Sequence, residues 1–380
     1  MTVSKNAPDW GTIRKLFPAT RDFVYLDGAN KGALPICVED ATQDWLRIVY
    51  EEAGIGAFSM DEIERTRDVV ATTFGAPSEC IALVKNTSEG INILAQGIGL
   101  HPGENVILSR GEHENNTFPW RHLESRGVEI RWVEEDENNI YPLETYEKLI
   151  DSNTRVVTVA WVTYGVGYRA DLRALSELCH SRNALLFVDG VQGVAILNER
   201  IDELGVDALS AGGHKAMFSL AGAGFLYVRK EIIPQIDPPY AAKFSFTSND
   251  RMREKVELAT DAHRFEYGNP NYLGTFVQRR GCEFIKSIGL NHIEDRVKEL
   301  STFLIESALQ RGYTIRTPRN WHQRAGIVSM DMGKDAQVIA DSLAEQKIRV
   351  SCKDGHLRAT VHFYNNEDDI VRYLDALGTV

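Results

Sequence analysis

The sequence predicts an α/β fold, with a large domain whose mostly parallel central sheet lies between helix layers and a smaller α+β C-terminal domain. Two observations carry this expectation. Short, nearly continuous apolar runs at 105–108, 156–162, 184–188 and 224–228 alternate with stretches of helical spacing. Strands apolar on both faces and separated by helices belong to a parallel sheet covered on both sides. From about Pro234 the texture changes to long helical patterns followed by alternating strands. The expected division is a large domain at 18–255 and a small one made by 1–17 together with 256–380.

The elements follow in order. After an N-terminal arm, 36–53 places Val38, Ala41, Trp45, Ile48 and Val49 at helical spacing. The segment 88–97 does the same with Ile91, Leu94 and Ala95, and Ile98 lies just beyond. Strands follow at 105–108 and 156–162. The segment 171–182 is a helix with Asp171 as N-cap and Leu172, Leu175, Leu178 and Cys179 on one face. Strands at 184–188 and 224–228 come next. Pro238-Pro239 and the polar stretch 245–253 predict a crossover or lid. Beyond Asn271 come long helical patterns, strands at 327–330, 347–351 and 357–363, and a final helix at 368–377. Alternation of Leu357, Ala359, Val361 and Phe363 predicts one buried face for the last strand.

With 380 residues, 43% hydrophobic and 25% charged, the chain excludes disordered and fibrous classes and has the length of two domains. No apolar run reaches membrane-spanning length, and the first residues lack the apolar stretch of a secretion signal, so cytoplasm is the expected compartment. A net charge of −12 argues against nucleic acid as a partner. Cys37, Cys80, Cys179, Cys282 and Cys352 are widely separated, odd in number and form no CxxC pair. Free thiols are expected, with neither a zinc site nor a disulfide framework.

Four loops carry candidate chemistry. Asn86-Thr87-Ser88-Glu89-Gly90 sets two hydroxyls at a helix start, where free N–H groups suit a phosphate or a simple cap. Asp189 ends a buried strand, either facing a ligand cation or capping the next turn. Taken singly, both read more readily as caps. Lys215, in Ser210-Ala211-Gly212-Gly213-His214-Lys215, lies between glycines and an apolar segment. Desolvation there lowers an amine's pKa and makes it a candidate Schiff-base former, although most lysines are solvated surface charges. Glu112-His113-Glu114-Asn115-Asn116 narrowly misses the zinc-binding HExxH pattern, because Thr117 replaces the second histidine; no metal is expected. A fifth segment, Gly165-Val166-Gly167-Tyr168-Arg169-Ala170, matches the dinucleotide pattern GxGxxA, with Asp189 about 20 residues on. This nicotinamide reading conflicts with Asp171 as N-cap, which leaves the glycines in the loop before the helix.

Phosphate-holding hydroxyls, a histidine loop, an aspartate at a strand end and a lysine on a later loop occur in that order. The order resembles the class V aminotransferase family of fold type I pyridoxal-phosphate enzymes, which includes cysteine desulfurases. The resemblance runs from Tyr25-Leu26-Asp27-Gly28-Ala29 to 357–366 and includes Arg264-Phe265-Glu266-Tyr267-Gly268-Asn269-Pro270-Asn271. It implies the PLP-transferase fold, pyridoxal 5'-phosphate as cofactor, an amino-acid substrate, and a homodimer with its active site at the subunit interface. By position, the resemblance implies that Lys215 holds the cofactor as a Schiff base and then moves the proton at substrate Cα. Asp189 corresponds to the carboxylate paired with the pyridine nitrogen, Gln192 to a donor to the ring's phenolic oxygen, and His113 to the imidazole stacked on the ring. Lys215, His113 and Asp189 are thus the implied catalytic group. Thr87, Ser88 and His214 correspond to phosphate ligands, and Asn269 to the residue reaching the phosphate from the partner subunit. Arg358 corresponds to the arginine that forks onto the substrate α-carboxylate.

Departures from the family pattern bear on the reaction. Tyr164 stands where desulfurases place an asparagine, and Gly212 where a phosphate-binding serine is common. The longer loop that carries the persulfide-forming cysteine in desulfurases is nearly absent before Arg358, and Cys352 sits close to a strand end. This short connection resembles the isopenicillin-N-epimerase-like and C–S-lyase-like branches. The implied reaction is Schiff-base exchange at Lys215, Cα deprotonation and β-elimination of the C–S lyase type. Aminotransfer or epimerisation are the alternatives, and a NAD-binding oxidoreductase a remote one. The pocket is expected to draw partly on Asn30-Lys31, 243–249 and Trp321-His322. Lys31 and Arg169 are candidate readers of a second acidic group, though they read more readily as surface charges.

Overall fold

A computed structural model describes residues 7–248, 250 and 252–378 of the chain. Its larger sheet has seven strands, in spatial order Ile81–Val84, Gly224–Val228, Ala208–Gly212, Leu185–Asp189, Thr154–Ala160, Asn105–Ser109 and Glu129–Val133. The last five of these run parallel. Gly224–Val228 is antiparallel to both of its neighbours. Alternate residues feed two separate apolar cores: Ile107, Val157, Leu186 and Leu209 on one face, Val106, Val156, Phe187 and Ala208 on the other. A sheet covered on both sides leaves no polar face to alternate, which is why these strands read as continuous apolar runs.

The helix Thr87–Gly97 is capped by Asn86, whose side chain accepts from the Glu89 amide at 2.9 Å. It lies so close to the sheet that a Cβ on Gly90 would stand 2.2 Å from the Ser210 hydroxyl. Only glycine permits that approach, and the approach brings the first helical turn to the end of Ala208–Gly212. Helix Leu172–Ser181 begins after Asp171, whose side chain accepts from the Ala174 amide. The GxGxxA segment therefore does not open a helix. It forms a tight turn, with Gly167 at φ +77° and Val162 bridged to Arg169.

The second sheet is antiparallel, in the order Ser351–Lys353, His356–Thr360, Ile327–Asp331 and Thr314–Ile315. The expected strand at 347–351 is in fact two, Ile348–Arg349 and Ser351–Lys353, belonging to different sheets. The strand expected to bury one face buries both: Arg358, Thr360 and His362 are as enclosed as Leu357, Ala359 and Val361. The polar set is covered by segments distant in sequence: Arg358 by Tyr164 and Asp27, Thr360 by Asp27, and His362 by Phe218. Val24–Tyr25, expected within the large domain, pairs in parallel with Ile348–Arg349. Arg14 also forks onto Asp369 near the other end of the chain, at 2.7 and 2.9 Å. One apolar core runs through both lobes, from Leu209 to Val328 and Leu357.

Several strands were not expected. Ile81–Val84 is four residues long, and Glu129–Val133 is an edge strand with charges on its outer face. Apart from Leu209, Ala208–Gly212 is made of small residues and reads as a loop. Residues 249 and 251 of the expected lid lie outside the described residues, as do 1–6 of the N-terminal arm. The remainder of 243–253 holds a single 3-10 turn at Lys243–Ser245. Among the described residues no helix is long and apolar enough to cross a membrane, no cluster of ligands holds a metal, and all five cysteines are free.

Candidate active site

Three adjacent strands end side by side at Ala160, Asp189 and Gly212, with Ala160 in register with Asp189 and Asp189 with Ser210. Carboxyl ends of parallel strands form ligand crevices because their loops diverge to opposite faces of the sheet. A cavity of about 170 Å³ opens there. Thr87, His113, Asp189, Gln192, His214, Lys215 and Arg358, expected from sequence to act together, all line it.

Lys215 sits at the cavity's inner end, on a loop tied down by Gly213 donating to the Ala223 carbonyl (2.7 Å) and Ser219 to that of Gly213 (2.9 Å). The N-terminal arm closes over this loop through Gly32, which donates to the His214 carbonyl at 3.1 Å. A Cβ on Gly32 would meet the Lys215 carbonyl oxygen at 2.2 Å. Burial pulls the Lys215 amine down to about 8, Asp189 opposes this, and Arg358 and Lys353 reinforce it. Such an amine is substantially neutral near pH 8 and able to attack a carbonyl carbon.

Asp189 is buried, and burial raises its carboxyl above the usual range. One oxygen accepts from the Val191 amide at 3.0 Å, and the other has no protein hydrogen bond among the described residues. Gln192 donates to the Ala29 carbonyl at 2.8 Å and keeps a second N–H for the cavity. At the far end, the Thr87 hydroxyl accepts from the Gly212 amide at 2.9 Å. A Cβ on Gly212 would lie 3.3 Å from the His214 ring and 3.5 Å from the Thr87 amide nitrogen. A small, donor-rich cradle therefore opens between Thr87, Gly212 and His214. Burial and the neighbouring Lys215 lower the His214 pKa.

His113 caps the helix Glu114–Arg121, its Nδ1 accepting from the Asn115 amide at 3.1 Å. This places the ring proton on Nε2 and leaves the ring over the cavity, edge-on to Tyr164 with centroids 5.0 Å apart. Burial lowers its pKa, which favours the neutral ring. Beneath it, Glu112 is enclosed. One of its oxygens accepts from the Ala160 amide at 2.7 Å and the other from the Asn116 side chain at 2.8 Å. With no cation beside it, burial pushes this carboxyl up to about 8. Glu112 thus pins the histidine loop to the strand that borders Asp189.

The antiparallel sheet supplies the opposite wall. Arg358 donates from Nε to the Ser351 hydroxyl (3.0 Å) and from Nη1 to the Tyr164 carbonyl (2.7 Å). Asp27 stands 3.7 Å from its Nη2. The guanidinium is held on several sides while its edge lines the cavity.

Two expected residues lie elsewhere in the chain. Ser88 lines a neighbouring surface hollow with Asn92 and Phe118, and Asn269 lines a separate one with Lys85, Glu89 and Tyr267. Three residues before it, Glu266 ties this segment down by accepting from Arg67 at 2.5 Å and from the Leu83 amide at 2.7 Å. Of the other expected contributors, Asn30 lines the cavity, Lys31 is exposed, and Arg169 is paired with Glu199. Trp321 donates to Glu294 and does not line the cavity. Asn115 and Lys353 do line it and were missed. The signal for Lys353 was present: Asp354-Gly355 is a two-residue hairpin turn, and period two then sets Lys353 on the face of Ser351.

A half-buried lysine whose amine makes no protein hydrogen bond among the described residues, an aspartate with a free oxygen and a donor-rich cradle at a helix start fit the three polar ends of pyridoxal phosphate. The class-V aminotransferase model matches residues 24–373, and the chain belongs to that pyridoxal-phosphate-dependent family. Among curated proteins it is 28% identical to a cysteine desulfurase of Cronobacter sakazakii, over 96% of each chain. It is 26% identical to a probable cysteine desulfurase of Methanothermobacter thermautotrophicus, over 94% of each. Among solved structures, apo cysteine desulfurase from Thermococcus onnurineus superposes with a TM-score of 0.89 at 25% identity, covering 100% of this chain and 99% of that one. The cystine C–S lyase C-DES, bound to cysteine persulfide, superposes at 0.88 with 21% identity over 95% and 98%, a likeness of fold.

Proposed function

We propose that the protein is a pyridoxal-phosphate enzyme that deprotonates an α-amino acid at Cα and eliminates its β-substituent, in the manner of a C–S lyase. The supporting observation is the hairpin in front of Arg358. Strands Ser351–Lys353 and His356–Thr360 are joined by Asp354 and Gly355 alone, both at positive φ. No loop is left to carry a cysteine over the cavity. Cys352, between Ser351 and Lys353, points to the other face of the strand and does not line the cavity.

When bound, the cofactor supplies an electron sink for negative charge developing at substrate Cα. The chain's own residues do the rest. Lys215 carries the Cα proton on Nζ, a task suited to an amine whose pKa lies near neutrality. Asp189 holds a proton on the pyridine nitrogen. Thr87 and His214, with the helix start behind them, receive the phosphate. His113 covers one ring face and excludes water, and Arg358 fixes the α-carboxylate. For cysteine the balance is one C–S, one Cα–H and one Cα–N bond broken, the oxygen of one water becoming the keto oxygen of pyruvate, and hydrogen sulfide and ammonia released.

The same reading makes the enzyme a homodimer in the cytoplasm, built of lobes at 18–255 and at 1–17 with 256–380. Asn269 lies too far round its own chain to line the cavity, and a second copy would bring it to the phosphate end. The nicotinamide reading loses its support, because the GxGxxA turn offers no helix start to a pyrophosphate. The test is to give the holoenzyme L-cysteine and assay pyruvate, ammonia, sulfide and alanine together. Pyruvate with sulfide supports elimination; alanine with persulfide on the protein overturns it in favour of desulfuration. A keto acid formed only with an amino acceptor identifies an aminotransferase.

A further inference from the structure

The charges lining the cavity do not balance against the groups just assigned. Lys215 and Asp189 are committed to the cofactor, and Arg358 to the α-carboxylate. Lys353 remains. It lines the same cavity and is close enough to bear on the amine of Lys215 and the ring of His113. Its ammonium makes no ion pair or hydrogen bond with another described residue, although its backbone belongs to the ladder opposite His356. The carboxylate next to it, Asp354, accepts from the Tyr164 hydroxyl at 3.4 Å.

Its position is set by the hairpin. Ser351 is opposite Arg358 and holds it through the 3.0 Å hydrogen bond, and Lys353 is two residues further along the same face, opposite His356. Two residues of strand span roughly 7 Å. Both cations open on the one cavity, from positions set apart along the hairpin. A lone, half-buried ammonium facing a cavity favours a ligand that brings a negative charge to it.

We propose that Lys353 selects α-amino acids whose side chain ends in an anionic group, such as a carboxylate, sulfinate or sulfonate, with Arg358 holding the α-carboxylate. This rests on the reading of the cavity as a pyridoxal-phosphate amino-acid site and names its substrate class.

The test is a visible-absorbance titration of the holoenzyme with L-aspartate and L-alanine, which reads binding without requiring turnover. The wild-type protein is expected to bind L-aspartate about tenfold more tightly than L-alanine, a preference that shrinks as salt is raised. In Lys353→Gln the ratio is expected to fall to near one, and in Lys353→Arg to persist, which separates lost charge from a damaged hairpin. Spectral responses of equal affinity in the wild-type protein, or a preference kept by Lys353→Gln, overturn this proposal and leave the cofactor reading standing. A protein whose spectrum answers neither amino acid overturns both.

Discussion

The floor and the lip of the cavity come from different sheets and are held in different ways. On the floor, Asp189 and Lys215 stand on strand ends and a tight loop of the parallel sheet, and backbone hydrogen bonds and steric contact fix them. On the lip, Arg358 and Lys353 project from an antiparallel hairpin, and side-chain partners hold Arg358: Ser351, Tyr164 and Asp27. A floor made of backbone cannot change without changing the fold, whereas a lip made of side chains changes by substitution. The chemistry common to a family belongs on the first, and the choice of substrate on the second.

Substitutions can break or sharpen this contrast. The largest effect is expected on the floor: Lys215→Ala should abolish the visible cofactor band and lower turnover by at least about a thousandfold. Turnover and band surviving together would show that the floor does not carry the chemistry. On the lip, Arg358→Lys should raise KM by about ten- to a hundredfold and leave the band in place, because a point charge replaces a two-pronged fork. A fall in kcat with KM unchanged would erase the distinction between the two walls.

The pH responses of the floor are smaller. If neutral Lys215 is the nucleophile, as proposed, burial that brings its amine down to about 8 makes the rate at which apo-protein captures added pyridoxal phosphate rise with pH around a midpoint near 8. A midpoint near that of an exposed lysine, 10.5, would mean the amine is solvated. Glu112, raised from 4.5 to about 8, binds its proton more tightly folded than unfolded. Its contribution to stability is full below about pH 4.5 and is lost as pH rises through 8. Thermal unfolding of Glu112→Gln should therefore vary less between pH 5 and 8 than that of the wild-type protein; parallel pH profiles would place the wild-type charge elsewhere. The smallest effect is expected at Cys352, whose replacement by alanine should leave pyruvate formation within about twofold. Complete loss with cofactor still bound would restore a persulfide role.

Legibility in the sequence follows the same division. The parallel strands announce themselves because two-sided burial demands unbroken apolar runs, and Asp189 and Lys215 are marked by their places after such runs. Ala208–Gly212 escaped because the approach of the neighbouring helix requires small residues there, and small residues carry little strand signature. Arg358 was found by its motif, but the polar face around it looked solvent-exposed: its cover comes from Asp27 and Tyr164, distant in sequence. Lys353 was missed for a related reason, since hairpin register decides which side chain faces inward. Ser88 and Thr87 are adjacent hydroxyls that sequence treats alike, and the turn of the helix sends only Thr87 into the cavity.

The parallel pairing of Val24–Tyr25 with Ile348–Arg349, with Arg14 anchored on Asp369, has a consequence for synthesis of the chain. This segment leaves the ribosome well before its strand and ion-pair partners, which lie more than 300 residues later. Contacts this remote form late, because the intervening loop must be closed before they contribute. Asp27 belongs to this segment and faces Arg358, so a nascent polypeptide can assemble its aspartate and lysine strand ends before the arginine that we propose holds the substrate carboxylate is in place. On the proposed reading the carboxylate grip is complete only once Val24–Tyr25 has paired with Ile348–Arg349.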